Sequence, residues 1–131
     1  MKTRTIRQNV VFKTSPHEIY EALMDSKKHS KFTKSKCVIS RKKGGKFSAY
    51  DGFITGKNLK LVKDKRIEQL WKGKGEGWPK NHFSKVTFAL NGNKKNTKLS
   101  FTHSGVPSSW ASETSKGWND HYWKPMKKML E

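Results

Sequence analysis

Hydrophobic and polar positions alternate with a period of two at the start of the chain. Ile6, Gln8, Val10 and Phe12 fall on one face and Thr5, Arg7, Asn9 and Val11 on the other, the pattern of a half-buried strand. Ser15-Pro16-His17-Glu18 then marks a helix start. The Ser15 hydroxyl can accept from the N3 amide, Glu18 can reach back to the cap, and Pro16 suits the first helical position. Ile19, Tyr20, Leu23 and Met24 follow at helical spacing, which predicts a short helix with one buried face. A second short helix is expected over Lys27–Phe32, capped by Ser26. From Cys37 the helical period is lost. Strand chemistry runs over Cys37–Ser40, Lys46–Tyr50, Phe53–Leu61, Arg66–Lys72, His82–Asn91 and Thr97–His103. Turn signals separate these runs at Gly44-Gly45, Asp51-Gly52, Lys63-Asp64 and Asn91-Gly92-Asn93. No interval is long enough for a helical crossover, so the strands pair antiparallel. After Gly105-Val106-Pro107-Ser108 the period changes once more. Thr114, Trp118, Tyr122, Met126, Met129 and Leu130 predict one long amphipathic helix, kinked near its last two turns where Pro125 removes a hydrogen bond. The expected architecture is α+β: an antiparallel sheet of six to seven strands, two short helices after the first, and a long C-terminal helix over one face.

Composition narrows the class. The 131 residues suit a single domain over 1–131, yet only 32% are hydrophobic. Five Trp, seven Phe and three Tyr compensate, because each ring can bury roughly 150–250 Å². That describes a folded domain with a lysine-coated surface. One cysteine leaves no intramolecular disulfide and no multi-cysteine zinc site. No run approaches the roughly 18 apolar residues of a spanning helix, and the start lacks the apolar core of a signal peptide. A soluble, cytoplasmic protein is expected, with no cofactor and no metal.

The order of elements is that of the helix-grip fold, a curved antiparallel sheet wrapped around a C-terminal helix. Six motifs extend the resemblance: Gly44-Gly45-Lys46-Phe47, Asp51-Gly52-Phe53-Ile54-Thr55-Gly56, Arg66-Ile67-Glu68-Gln69-Leu70-Trp71, Trp78-Pro79-Lys80-Asn81-His82-Phe83-Ser84, Thr102-His103-Ser104-Gly105-Val106-Pro107 and Gly117-Trp118-Asn119-Asp120-His121-Tyr122-Trp123. Together they resemble the C-terminal domain of the activator of the ninety-kilodalton heat-shock chaperone ATPase, within the birch-pollen-allergen-like and lipid-transfer (START) superfamily. The likeness runs from about Ile6 to Leu130. It implies a co-chaperone-like or stress-related role, with docking on the nucleotide-binding domains of such a chaperone. The relatives' separate N-terminal domain, which does much of the ATPase stimulation, has no counterpart in these residues. Stand-alone members of the superfamily mostly bind apolar small molecules between sheet and helix.

A helix laid across a bent sheet leaves a wedge-shaped space. Its candidate lining is Tyr50, Phe53, Trp71, Val86, Phe88, Leu99, Phe101, Trp118 and Tyr122, with His82 and His103 as polar members. These side chains either fill the core or border a ligand pocket. Gln8, Gln69, His82, Ser84 and His103 fall among apolar neighbours, where each must find a partner or serve a ligand. His82 and His103 are expected on adjacent strands, close enough to approach each other, but no acid completes a metal set. Cys37 follows a basic run that could lower its pKa, yet no histidine spacing supplies a base. Enzyme activity is therefore not expected.

Charge is the dominant feature. Lys and Arg total 29 against 10 acids, a formal net charge of +19. No acid lies between Asp25 and Asp51, while Lys27, Lys28, Lys31, Lys34, Lys36, Arg41, Lys42, Lys43 and Lys46 accumulate there. Such a face attracts an acidic partner protein, here a ninety-kilodalton heat-shock chaperone, over about a Debye length. Only four of the cations are Arg, which argues against sequence-specific nucleic-acid readout and leaves non-specific phosphate binding as a third reading.

Overall fold

The computed structural model describes residues 1–131. Strand β1 (Thr3–Phe12) leads into helices α1 (Pro16–Met24) and α2 (Ser26–Thr33). Six strands follow: β2 (Val38–Ile39), β3 (Lys46–Ala49), β4 (Ile54–Val62), β5 (Arg66–Gly73), β6 (Ser84–Gly92) and β7 (Thr97–Pro107). The chain then runs through α3 (Ser108–Trp118), a π-helical turn (Asn119–Trp123) and α4 (Lys124–Leu130). All seven strands form one antiparallel sheet in the order β1-β7-β6-β5-β4-β3-β2. The first strand thus closes against the last, and the C-terminal helical segment crosses the inner face.

The alternation in β1 places Ile6 and Phe12 inward, and the same parity brings Ile67, Val86, Phe88, Leu99 and Phe101 onto the inner face of β5–β7. Ile19, Leu23 and Met24 of α1 and Trp118, Tyr122, Trp123 and Met126 from the end of the chain complete the core. Each fully buried Leu, Ile, Phe or Met contributes about 1.5–3 kcal/mol of transfer free energy.

Local chemistry moves several predicted boundaries. Ser15 caps α1 as expected, accepting from the Glu18 amide at 3.3 Å. Ser26 does not cap α2. Asp25 takes that role at 2.9 Å from the Lys28 amide, because its carboxylate suits the positive end of the helix. The Ser26 hydroxyl instead pins β2, accepting from the Ile39 amide at 2.8 Å. The β6–β7 turn lies at Asn93–Asn96 rather than at Asn91-Gly92-Asn93, since Asn93 Oδ1 accepts from the amides of Lys95 and Asn96.

Pro125 acts through the turn before it. The Lys124 amide donates to Asn119 O, a five-residue step, so the helix widens into a π turn. That step sets Trp123 on the same face as Trp118, and their rings stack at 5.7 Å with planes 20° apart. Trp123 Nε1 donates to Gln8 Oε1 at 2.6 Å, and Gln8 Nε2 donates to Ser115 at 3.0 Å. One β1 side chain therefore fastens the C-terminal helix both before its irregular turn and at that turn's last residue.

Candidate functional site

A cavity of about 800 Å³ opens between the β3–β4 turn, the β5–β6 loop and α3. Tyr50, Phe53 and Ile54 form one wall, Trp71 the floor, and Trp110, Thr114, Gly117, Trp118, His121 and Tyr122 the helical side. Of the predicted lining, Tyr50, Phe53, Trp71, Trp118 and Tyr122 border this space. Val86, Phe88, Leu99 and Phe101 do not; all four are buried in the core, where the Phe88 and Phe101 rings pack against Trp118 and Trp123. Phe53 is not a strand residue: it precedes β4, is 47% exposed, and stacks on Trp110 at the mouth.

Tyr50 combines two unfavourable features. It heads a run of three left-handed residues, with φ of 52° at Tyr50, 54° at Asp51 and 91° at Gly52. Its hydroxyl is sealed from solvent yet has no hydrogen-bond partner. An unmet buried hydroxyl costs about 1–3 kcal/mol, and backbone strain of this kind gathers at functional positions.

The two histidines of the predicted lining are not a pair. His82 precedes β6, and its Nε2 bonds Gly105 O at 2.7 Å, outside the cavity. His103 is fully buried, and its proton arrangement is fixed by its partners. Trp118 Nε1 donates to His103 Nδ1 at 3.0 Å, so Nε2 carries the proton and donates to Ser84 Oγ at 2.7 Å. Ser84 passes its own hydrogen to Trp71 O at 2.9 Å. Burial pushes the His103 pKa down to about 3, so the ring is neutral and spans core to cavity wall as a strut.

A third histidine does the same at the inner end. His29 Nδ1 donates to Leu23 O at 3.0 Å, which leaves Nε2 to accept from the Tyr122 hydroxyl at 2.8 Å. Burial lowers His29 to about 4 and raises Tyr122 well above the usual phenol range. Cys37 is buried, and desolvation pushes its thiol up to about 12, the opposite of an activated nucleophile.

All nine nominated cations are exposed. Lys27, Lys28 and Lys31 lie on α2, Lys34 ends it in a left-handed conformation, and Lys36 follows. Arg41 is tied to Glu21 at 2.6 Å. The loop carrying Arg41, Lys42 and Lys43 is clamped from below by Asn58, which is 1% exposed. Asn58 Nδ2 donates to Ser40 O at 2.7 Å and Lys42 O at 3.0 Å, its backbone exchanges two bonds with Gly44 and Gly45, and Gln69 Nε2 donates to its Oδ1. Gly45 is required in this clamp, since a Cβ there would lie 2.0 Å from Ser40 Oγ.

The family model described as "Activator of Hsp90 ATPase homolog 1-like protein" matches residues 13–131. This chain belongs to that family. It is 31% identical over 116 residues to the mouse activator of 90 kDa heat shock protein ATPase homolog 1, and 33% identical over 118 residues to the Dictyostelium discoideum homologue. Each match covers 88% of the chain, but only 34% of the mouse protein and 30% of the Dictyostelium one. The chain thus spans about a third of the length of these curated relatives. An HSP90 activator from Plasmodium falciparum superposes with a TM-score of 0.87 at 22% identity, over 95% of this chain and 94% of that one. The Aha1 dimer of Colwellia psychrerythraea gives 0.78 at 21%, over 98% and 96%. These two likenesses carry the helix-grip fold.

Within this family member, sequence reasoning missed three features. Trp110 stands eight residues before Trp118, one step ahead of the stripe that the sequence pattern traces from Thr114, and its indole donates to Glu76 O at 2.9 Å. Gly77, at φ of +87°, leaves room for that indole: a Cβ would sit 3.0 Å from its nitrogen. The Asn58 clamp carried no signal beyond one polar residue in a strand.

Proposed function

We propose that this chain is one helix-grip unit of co-chaperone type that docks on an acidic surface of a ninety-kilodalton heat-shock chaperone. The relatives are named as activators of that chaperone's ATPase, and family membership is the observation that carries the reading. The Lys-rich face supports it: a rigid loop held by Asn58 presents Lys42 and Lys43 beside the exposed lysines of α2. Held in place, such cations lose less freedom on binding. The experiment is a titration of the host's own chaperone at two salt concentrations, with ATPase rate as readout. Salt-sensitive binding that changes the rate, weakened by Lys42→Glu/Lys43→Glu, is expected. Binding that neither salt nor this variant alters contradicts the docking face.

A second reading, a binder of a small apolar molecule, is favoured by the unpartnered Tyr50 hydroxyl beside the cavity. A ligand with one hydrogen-bond acceptor that displaces the side chains sealing this hydroxyl, seated between Tyr50 and Trp118, supplies the missing partner. Tyr50→Phe then raises Tm by a few degrees, since removing the orphan returns about 1 kcal/mol. The same variant weakens binding of 2-acetylnaphthalene but not of 2-ethylnaphthalene, measured by calorimetry. Equal binding of the two probes to both proteins sinks this reading.

A further inference from the structure

The face of the sheet turned away from the helices is uncovered, and its charge is nearly all of one sign. Register places Lys46 directly opposite Lys57, Lys57 opposite Leu70, and Leu70 opposite Lys85. The next outward row runs from Lys60 through Glu68, Thr87 and Thr102 to Arg7. Lys72, opposite Thr55, and Lys98, opposite Asn91 and Val11, stand on further outward rows. Glu68 is the sole acid among these outward positions, and it is already held by Arg66 Nε at 2.6 Å and Lys85 Nζ at 3.0 Å. Lys46, Lys57, Lys60, Lys98 and Arg7 are exposed and make no ion pair.

Like charges directly across a strand pair destabilise a sheet, so the Lys46–Lys57 opposition opposes folding. Between the cations stand Thr55, Thr87, Ala89, Ser100 and Thr102, whose short side chains let another surface approach closely. Lys46 also belongs to the Lys-rich face of residues 27–46, so the two basic surfaces meet at β3.

We propose that this outer sheet face is a docking surface for an acidic protein surface, additional to the Lys27–Lys46 face and independent of which chaperone that face meets. A protein partner fits better than nucleic acid. The helices occupy the inner face of the sheet, so the outer one offers no groove to a duplex. Single strands need exposed rings for stacking, and the one ring at this edge, Phe83, has the Lys72 ammonium over it at 5.5 Å.

The test uses the full chain and a 20-residue poly-glutamate peptide, followed by fluorescence anisotropy at 50 and 200 mM NaCl. Lys57→Gln/Lys60→Gln is expected to weaken binding at least fivefold. The loss is expected to persist in the Lys27→Gln/Lys28→Gln background, which weakens the Lys27–Lys46 face. Lys57→Glu alone should raise Tm, because it faces Lys46 with an opposite charge, while weakening the peptide. A merely structural role for Lys57 predicts a fall in Tm instead. A loss below twofold from the sheet-lysine variant in either background overturns the proposal, as does an absence of peptide binding. Tighter binding of a 20-nucleotide oligothymidine or a 20-base-pair duplex, lost with the same sheet lysines, overturns it in favour of nucleic acid. Since the peptide contains no chaperone, failure of the chaperone titration leaves these outcomes readable.

Discussion

The buried histidines set how this protein responds to acid. His103 and His29 each have both ring nitrogens engaged as neutral species, and burial lowers them to about 3 and about 4. Histidine in an unfolded chain titrates near 6.5. The unfolded chain therefore binds two protons that the folded one refuses. Stability is whole above about pH 6.5 and falls as pH drops towards 4, approaching about 2.7 kcal/mol per pH unit for the two rings together. Urea unfolding at pH 7, 6, 5.5 and 5 should give that slope at its acid end. Constant stability across the series contradicts the assigned proton arrangement. Much of this chemistry was visible beforehand: Gln8, Gln69, Ser84 and His103 fell on buried strand faces, where polar groups must pair. The partners of Gln8 were not visible, because Ser115 and Trp123 reach it from the far end of the chain.

Among the elements, the C-terminal helix departs furthest from its periodic pattern. A strict 3.6-residue stripe takes in Trp118, Tyr122 and Met126 but leaves Trp123 off the face. The π turn brings it in, and Pro125 explains why the helix widens there. Proline was legible as a disturbance; which residue it would carry into the core was not, since that depends on whether the helix kinks or expands. Gln8 now has a checkable role. Gln8→Leu leaves the Trp123 indole and the Ser115 carbonyl without their partner, at a cost of about 1–3 kcal/mol. The Trp123 indole proton should shift in a ¹H–¹⁵N spectrum while those of Trp71 and Trp78 stay. An unchanged melting temperature and an unmoved Trp123 signal would contradict the fastening role. The run of hairpins from β2 to β7 and the two short helices, by contrast, followed from period-two alternation, turn residues and helical spacing, because those signals are local. The pairing of β1 with β7 is not local and carried no such signal.

The whole molecule carries two distinct kinds of surface. One is an aromatic cleft of about 800 Å³ under Trp110 and Trp118. The other is basic, running from α2 through the clamped loop at Lys42 and Lys43 to β3 and the outer sheet face. The sequence displayed the charge but not its arrangement, since lysines far apart in the chain become neighbours only through strand register. No helix is long and apolar enough to cross a membrane. Docking through the Lys27–Lys46 face fixes where a chaperone touches this chain. Titrating the ¹⁵N-labelled protein with an unlabelled ninety-kilodalton chaperone and mapping the perturbed amides measures that. Perturbations concentrated in Lys27–Lys46, and reversed by added salt, are predicted. Perturbations confined to the indoles of Trp71, Trp110 and Trp118, or no perturbation at all, would contradict it.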